Sequence, residues 1–321
     1  MERVCRELSV DLRERSYRPG AGRAFHISDP KPRCIFALPF RDRVVQHLLI
    51  ADTLGELERT MSPWSFACRK GKGTHRALRR AAELFRHHQF VLRVDFRKFF
   101  PSVDHEILRR SLNHSTPLDL RWLRDLFLDA PVVVERADFH FPGDTLFSPQ
   151  ERPHGLPIGS LTSQIWANAY LSPIDHLLGS HLGLGAIVRY CDDVLVFDDD
   201  AGRLRDAHAA IERRATALRL RLHHGKTRLH RTSDPVPFVG FVLRRRADAV
   251  AVRLRHDNVV RMRARMQTAR ALFEAGTIEV EEVTQRVRAW LAHARHGHTR
   301  ALCERELERW RFARRDDRSD E

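Results

Sequence analysis

The stretch Arg189–Phe197, RYCDDVLVF, sets two acidic residues side by side between apolar runs that look like strands. Neighbouring carboxylates repel, and burying them unpaired costs several kcal/mol. A positive group is therefore expected between them: an arginine, a lysine or a metal ion. The other reading is an exposed hairpin turn, where Asp is common for reasons of turn chemistry alone. The rest of the chain has to decide.

At 321 residues, 42% of them apolar, the chain is long enough to bury a real core, in one large domain or two to three smaller ones. Its formal net charge of +14 makes a polyanion the expected partner. The five cysteines (Cys5, Cys34, Cys68, Cys191, Cys303) are scattered, without a C-x-x-C pair. That pattern points to a reducing, cytoplasmic setting rather than a disulfide framework or a zinc site. No apolar run approaches the length of a membrane span, and MERVCRELSVDLRERSYRPG lacks a signal-peptide core.

The charge is segregated. Residues 203–270 carry 18 Lys and Arg against 5 Asp and Glu, a net of +13, so the remainder is close to neutral. An ordinary solvated face intersperses both signs, whereas contact with a phosphate backbone favours one. Only five of the 56 basic residues are lysines (Lys31, Lys70, Lys72, Lys98, Lys226), all inside motif-like segments. Such sites want an ammonium, which can give up a proton where a guanidinium cannot.

Outward from the hairpin, helices and strands alternate. Residues 25–40 read as two strands around a Pro-containing turn, 42–57 and 74–87 as helices, and FVLRVDF (90–96) as a strand. A helix is predicted from near Asp104, another over 117–129, a loop or hairpin over 130–155, and a helix over 160–178. After the hairpin come a helix over about 201–218, strands around 219–222 and 236–243, and helices from His256 on. Asp95 ends its apolar strand. Alone it reads as a cap, but with Asp192 and Asp193 it makes an oxygen-rich cluster suited to hard divalent cations.

These residues resemble a reverse transcriptase, with the motifs in family order along almost the whole chain. Tyr190-Cys191-Asp192-Asp193 resembles the YxDD box, and Asp95 with Phe99-Phe100 the D-x-x-x-F-F motif. DPKPR (29–33) with FRDRVVQ (40–46) resembles the fingers motifs, and SFACRKGKGTH (65–75) the segment after them. ATALRLRLHHGKT (215–227) resembles the strand bearing a lysine near the incoming triphosphate, and PFVGF (237–241) the primer grip. In GLPIGSLTSQIWANAYL (155–171), Ile158 stands where most of the family has Gln, and Ser163-Gln164 where it has S-P. That form, with AWLAHARHGHT (289–299), is similar to the reverse transcriptases of diversity-generating retroelements, relatives of the group II intron enzymes.

The resemblance implies an α+β right-hand polymerase fold: fingers over 1–89, the first metal-ligand strand of the palm over 90–104, a fingers/palm insertion over 105–155, palm over 156–243 and a helical thumb over 244–321. It implies an RNA-directed DNA polymerase, error-prone, with two Mg²⁺ ions for which Mn²⁺ can substitute. Asp95, Asp192 and the Phe96 carbonyl would hold the metal, with Asp193 supporting, and Lys226 would protonate the pyrophosphate. Lys31, Arg33, Phe99, Phe100, Ile158 and Gln164 would surround the nucleotide, with Phe100 under the sugar and Phe99 packing in the core. Arg69, Lys70, Lys72, Phe238, Gly240, Arg288 and Arg295 would meet template and primer, while Trp290 reads as a helix-packing residue. The implied partners are template RNA, cDNA, dNTPs and a small basic oligomeric accessory protein, with no membrane. Departures from the family pattern are a short approach to the first fingers motif and no room for an RNase H or endonuclease domain after the thumb. Two alternatives are a defence-associated or other bacterial reverse transcriptase, and a non-catalytic RNA-binding scaffold. A retron lacks its V-T-G signature here, and a nucleotide cyclase would need neither the fingers motifs nor PFVGF.

Overall fold

The computed structural model describes residues 2–28, 32–130 and 135–312. The chain divides into two compact units, residues 1–77 with 92–229, and residues 78–91 with 230–321. In chain order the elements are α1 (Glu2–Arg13), β1 (Arg23–Ile27), β2 (Arg33–Ala37), α2 (Phe40–Thr60), α3 (Thr74–His87) and β3 (Phe90–Val94). The one-turn α4 (Phe99–Ser102), α5 (His105–Leu112), α6 (Arg121–Leu128), the one-turn α7 (Ser148–Glu151) and α8 (Leu161–His176) follow. Then come β4 (Ile187–Tyr190), β5 (Asp193–Asp198), α9 (Ala201–Ala217), β6 (Arg228–Arg231), β7 (Val236–Phe238), β8 (Phe241–Arg246) and β9 (Ala249–Leu254). Helices α10 (His256–Glu274), α11 (Val280–Ala294) and α12 (Arg300–Glu308) close the described chain. The fold class is mixed α/β, as expected.

Local chemistry explains most of these elements. Ala77, Leu78, Ala81, Leu84 and Phe85 of α3 recur at helical spacing and are all buried. Asp104 caps α5, accepting from the Ile107 N–H at 2.9 Å, and Asp200 caps α9 by accepting from Gly202. Helix α8 is buried on nearly every side, from Thr162 through Tyr170 to Asp175. Four strands form one sheet in the order β4, β5, β3, β6. Strand β5 buries Val194, Leu195, Val196 and Phe197 in succession, the pattern of a strand covered on both faces.

In the second unit β7, β8 and β9 form an antiparallel sheet. Its buried face carries Phe241, Leu243, Val250, Val252 and Leu254, while Arg244, Arg246 and Arg253 are exposed. The β7–β8 turn has two central residues with positive φ, Val239 at 41° and Gly240 at 88°. That sign pair suits the right-handed twist of a two-residue hairpin. Met262, Met266, Ala269 and Phe273 of α10 form a core with Ile278 and Val283.

One strand, one helix boundary and three elements differ from the sequence reading. Residues 219–222 are not a strand. Arg219 adopts a left-handed φ of 52°, and only the Phe96–Leu222 bridge pairs this run with the segment after β3. Helix α8 stops at His176, beyond Pro173, and the chain continues as one wide turn to His181. Strands β6 and β9 and helix α1 went unread: β6 is RLHR with no apolar alternation, whereas α1 does carry a helical pattern, Val4, Leu8 and Leu12 falling on one face with Leu8 buried.

Candidate active site

The acidic pair of the opening stretch sits on a hairpin. Tyr190 of β4 pairs with Asp193 of β5, so Cys191 and Asp192 form a two-residue turn. Cys191 has φ of 54°, a left-handed conformation costing a non-glycine residue roughly 1–2 kcal/mol. A strained turn persists only where its surroundings determine it. Here the determinant is Arg189, fully buried in β4. Its Nε and Nη2 reach the two oxygens of Asp175 at 2.8 and 2.6 Å, and Nη1 reaches Asn168 Oδ1 at 3.1 Å and the Cys191 carbonyl at 3.2 Å. The turn is thereby tied to α8. Removing one partner leaves the other charge buried alone, so Asp175→Ala is expected to destabilise the protein by about 3–5 kcal/mol. The check is the urea midpoint, with Asp175→Leu/Arg189→Met recovering much of the loss. Equal midpoints for Asp175→Ala and the native chain would refute the assignment.

The hairpin places its two carboxylates differently. Asp193 Oδ1 accepts from Arg93 Nε at 3.2 Å. Burial pushes the Asp193 carboxyl up to about 7, against the pull of Arg93. Asp192 lies at the turn and forms no salt bridge among the described residues. Burial raises its pKa, the nearby Asp95 charge raises it further, and Arg33 and Lys226 oppose both.

Asp95 follows β3. Its backbone is clamped between N–H to Thr227 Oγ1 at 3.2 Å and His223 N–H to its carbonyl at 2.8 Å. Lys226 Nζ donates to Asp95 Oδ1 at 3.3 Å, and Arg93 Nη2 lies 3.9 Å from Oδ2. The next residue, Phe96, bridges Leu222 between the bonds Arg97 N–H to Arg221 O and His223 N–H to Asp95 O. That is the non-hydrogen-bonded position of an antiparallel pair, so the Phe96 carbonyl points away from Leu222.

Asp95, Asp192, Lys226 and Arg33 thus converge. Among the described residues no three His, Cys, Asp or Glu side chains form a metal-holding group, and Asp193 is paired with Arg93. The remaining donors, two carboxylates and a carbonyl, are all oxygen. A half-buried, unbridged Asp192 beside Asp95 fits a hard divalent cation.

Other expected site residues fall around this centre. Phe99 is core, its ring 6.0 Å from Phe96 and 5.5 Å from Phe100. Phe100 is half-buried and its carbonyl accepts from Leu156 N–H at 2.8 Å. Ile158 bridges Ile35 of β2, its carbonyl accepting from Phe36 N–H at 2.8 Å. The next residue must be glycine: Gly159 has φ of 114°, and a Cβ there would stand 2.9 Å from the Phe36 carbonyl oxygen. Exposed Gln164 accepts from Cys68 Sγ at 3.3 Å.

Arg69 turns inward, with Nη1 donating to the Ser62 carbonyl at 2.7 Å, so it braces its own loop. Lys72 donates to the Pro63 carbonyl and lies 5.0 Å from the centre of the Phe66 ring. Burial, with Arg69 beside it, holds its pKa down to about 8. Lys70 is exposed. Phe238, buried, and Gly240, Arg288 and Arg295 belong to the second unit, both arginines exposed. Trp290 donates Nε1–H to Asn258 Oδ1 at 2.9 Å and packs on the α10–α11 core. Lys31 lies outside the described residues.

Sequence reasoning missed Arg93, Arg189, Asp175 and Asn168. Arg93 carried a signal, since it precedes Asp95 by two residues and shares its side of an extended chain.

Residues 28–243 match the family model described as reverse transcriptase (RNA-dependent DNA polymerase). A 147-residue stretch is 27% identical to the COX1/OXI3 intron 1 protein of Saccharomyces cerevisiae, taking in 45% of this chain and 16% of that protein. Among solved structures, apo telomerase from Candida tropicalis, truncated from its C-terminal domain, is similar with a TM-score of 0.53 and 12% identity. That likeness takes in 77% of this chain and 59% of the telomerase chain, and it is one of fold. Among the described residues no helix is long and apolar enough to cross a membrane.

Proposed function

The chain belongs to the reverse transcriptase (RNA-dependent DNA polymerase) family, and from that premise we propose that it extends a DNA primer on an RNA template by phosphoryl transfer. The observation that carries this reading is the convergence of Asp192, at the β4–β5 turn, with Asp95 and Lys226. The family generally uses divalent metals. Asp95, Asp192 and the Phe96 carbonyl would hold Mg²⁺, two ions by the family pattern, with Mn²⁺ as a substitute and Asp193 in support. When bound, the metal supplies positive charge to the reacting phosphate oxygens.

The chain's own residues then divide the work. Asp95 and Asp192 present oxygen donors from rigid backbone, one clamped by Thr227 and His223, the other by Arg189. The primer 3′-hydroxyl attacks the α-phosphorus of the dNTP, its proton passing to solvent, and the bond to pyrophosphate breaks. Lys226 gives its proton to the departing pyrophosphate oxygen. Arg33 and Lys31 meet the triphosphate, a task suited to cationic donors. The Phe100 ring lies under the sugar, where its bulk excludes a 2′-OH and selects dNTPs. The Arg93 guanidinium spans Asp193 and Asp95, 3.2 Å from one carboxylate and 3.9 Å from the other, and so offsets their repulsion. In the family's terms, residues 1–89 form fingers, 90–104 and 156–243 the palm, 105–155 an insertion and 244–321 a thumb with Arg288 and Arg295 on the duplex backbone.

The finer reading is an error-prone enzyme of a diversity-generating retroelement, working in the cytoplasm, with a small basic oligomeric accessory protein as partner. It rests on Ile158 and Gln164. Ile158, fixed against β2 by the Phe36 bond, supplies shape but no hydrogen bond to the nascent base pair. One apolar contact discriminates by only about 1–3 kcal/mol. Ile158→Gln is expected to lower misincorporation by about 5-fold or more, read by sequencing the cDNA. An unchanged error rate would refute it.

The deciding experiment is primer extension on a defined RNA template with Mg²⁺ and dNTPs, followed by sequencing of the product. Adenine-biased errors are the expected result. Accurate cDNA would keep the polymerase and reject the retroelement role, and no cDNA with template, primer and metal all present would reject the polymerase.

A further inference from the structure

A groove of about 620 Å³ opens in the second unit between α10 and α11. Its volume falls in the range of small-molecule sites, about 300–1,000 Å³. Met262 and Met266, both buried in the helical core, form its floor. Trp290 forms a wall, its indole fixed by the 2.9 Å bond from Nε1–H to Asn258 Oδ1. Because that N–H can only donate, Asn258 must present its oxygen to the indole, which leaves its amide nitrogen for another acceptor. The rim is cationic. Arg265 and Arg286 are exposed, and Glu282 lies 4.0 Å from Arg286. At one end stands His293, packed on Phe241 with ring centres 4.8 Å apart, its Nε2 3.3 Å from where a Gly240 Cβ would stand. The groove therefore runs up to the β7–β8 turn.

We infer that this groove takes an unpaired base of a single-stranded nucleic acid, stacked on Trp290, with its flanking phosphates on Arg265 and Arg286. A fixed aromatic face over a soft methionine floor accepts any base, a hydrogen-bond donor at Asn258 meets a base-edge acceptor, and the rim charge matches phosphate. This is a different task from holding duplex by its backbone, which requires no aromatic cavity. A polypeptide anchored by an apolar side chain would fill the same volume but would have no use for the rim cations. The inference rests on the polymerase reading for the class of ligand alone.

The test uses the full chain with a 5′-labelled oligouridylate, the matching oligothymidylate and a blunt RNA–DNA duplex, measured by anisotropy. Trp290→Leu is expected to weaken binding of the single strands by about 5- to 100-fold, at ~1–3 kcal/mol per stacked base. Trp290→Phe keeps most of the affinity, and both variants bind duplex within about twofold of native, a threshold far below the stacking effect. Arg286→Gln lowers the salt slope by about 1 while leaving the helices intact. Oligouridylate and oligothymidylate responding alike is expected of a stacking site; a response to one alone would overturn the base-tolerant groove. Single-strand affinity unchanged in Trp290→Leu, or equal losses for Phe and Leu and for duplex, would overturn it as well, the latter leaving Trp290 as packing. Trp290-dependent binding without any cDNA would sink the polymerase reading and keep the groove, whereas cDNA synthesis with Trp290-independent binding would do the reverse.

Discussion

Asp192→Ala is expected to abolish RNA-templated DNA synthesis while leaving the protein folded, and in metal-free buffer more resistant to heat than the native chain. The loss follows from position: Asp192 stands at the tip of the β4–β5 turn beside Asp95, with no salt bridge among the described residues. Withdrawing the metal's charge from the reacting phosphate costs several kcal/mol, a drop of about 10³-fold or more. The gain in stability follows from the cause of its shifted pKa. Burial and the Asp95 charge both disfavour the ionised carboxyl in the folded protein, so its contribution is present in acid and lost as pH rises past the ordinary carboxylate range, about 3.9. Alanine carries no such penalty at neutral pH, and its advantage should vanish in acid. Primer-extension rates and thermal melts at two pH values check both halves. A variant retaining a tenth of native activity would remove Asp192 from the proposed machinery.

Lys226→Ala is expected to slow the chemical step by about 10²- to 10⁴-fold, the usual scale of general acid catalysis. Lys226 is half-exposed and bonded to Asp95 Oδ1 at 3.3 Å, so two roles compete: organising Asp95 by charge, or delivering a proton. Lys226→Arg separates them. A guanidinium restores the charge but holds its proton too tightly to give it away. Under proton delivery, Arg and Ala variants are about equally slow in single-turnover measurements while dNTP affinity changes little. Recovery of most of the native rate by arginine would assign Lys226 to organising Asp95 instead. The rarity of lysine in this chain favours the first outcome.

The elements that local chemistry dictates were readable from the sequence. Helix α3 shows its buried face in the spacing of its apolar residues, and Asp104 announces the start of α5. The β4–β5 hairpin was legible for the opposite reason, because two charges violated an apolar pattern. Pairing across the chain was not legible. Arg189 in an apolar run signals a buried partner, yet nothing in the sequence singles out Asp175, 14 residues earlier, among 42 acidic residues. Asp193 reads as a supporting ligand, and its pairing with Arg93 is not announced by the sequence. The resemblance sets Arg69 among the template and primer contacts, but nothing in the sequence announces that its guanidinium also donates to the Ser62 carbonyl.

The Arg189–Asp175 pair also constrains how this sequence can drift. A lineage that loses Asp175 first carries a stranded guanidinium beneath its acidic turn, and one that loses Arg189 first carries a stranded carboxylate inside α8. Either intermediate is less fit than both ends of the path, because the cost of one unpaired buried charge exceeds that of replacing the pair by apolar residues. The two positions are therefore expected to change together or not at all, so in an alignment of relatives an aspartate in the helix should travel with an arginine ahead of the acidic turn.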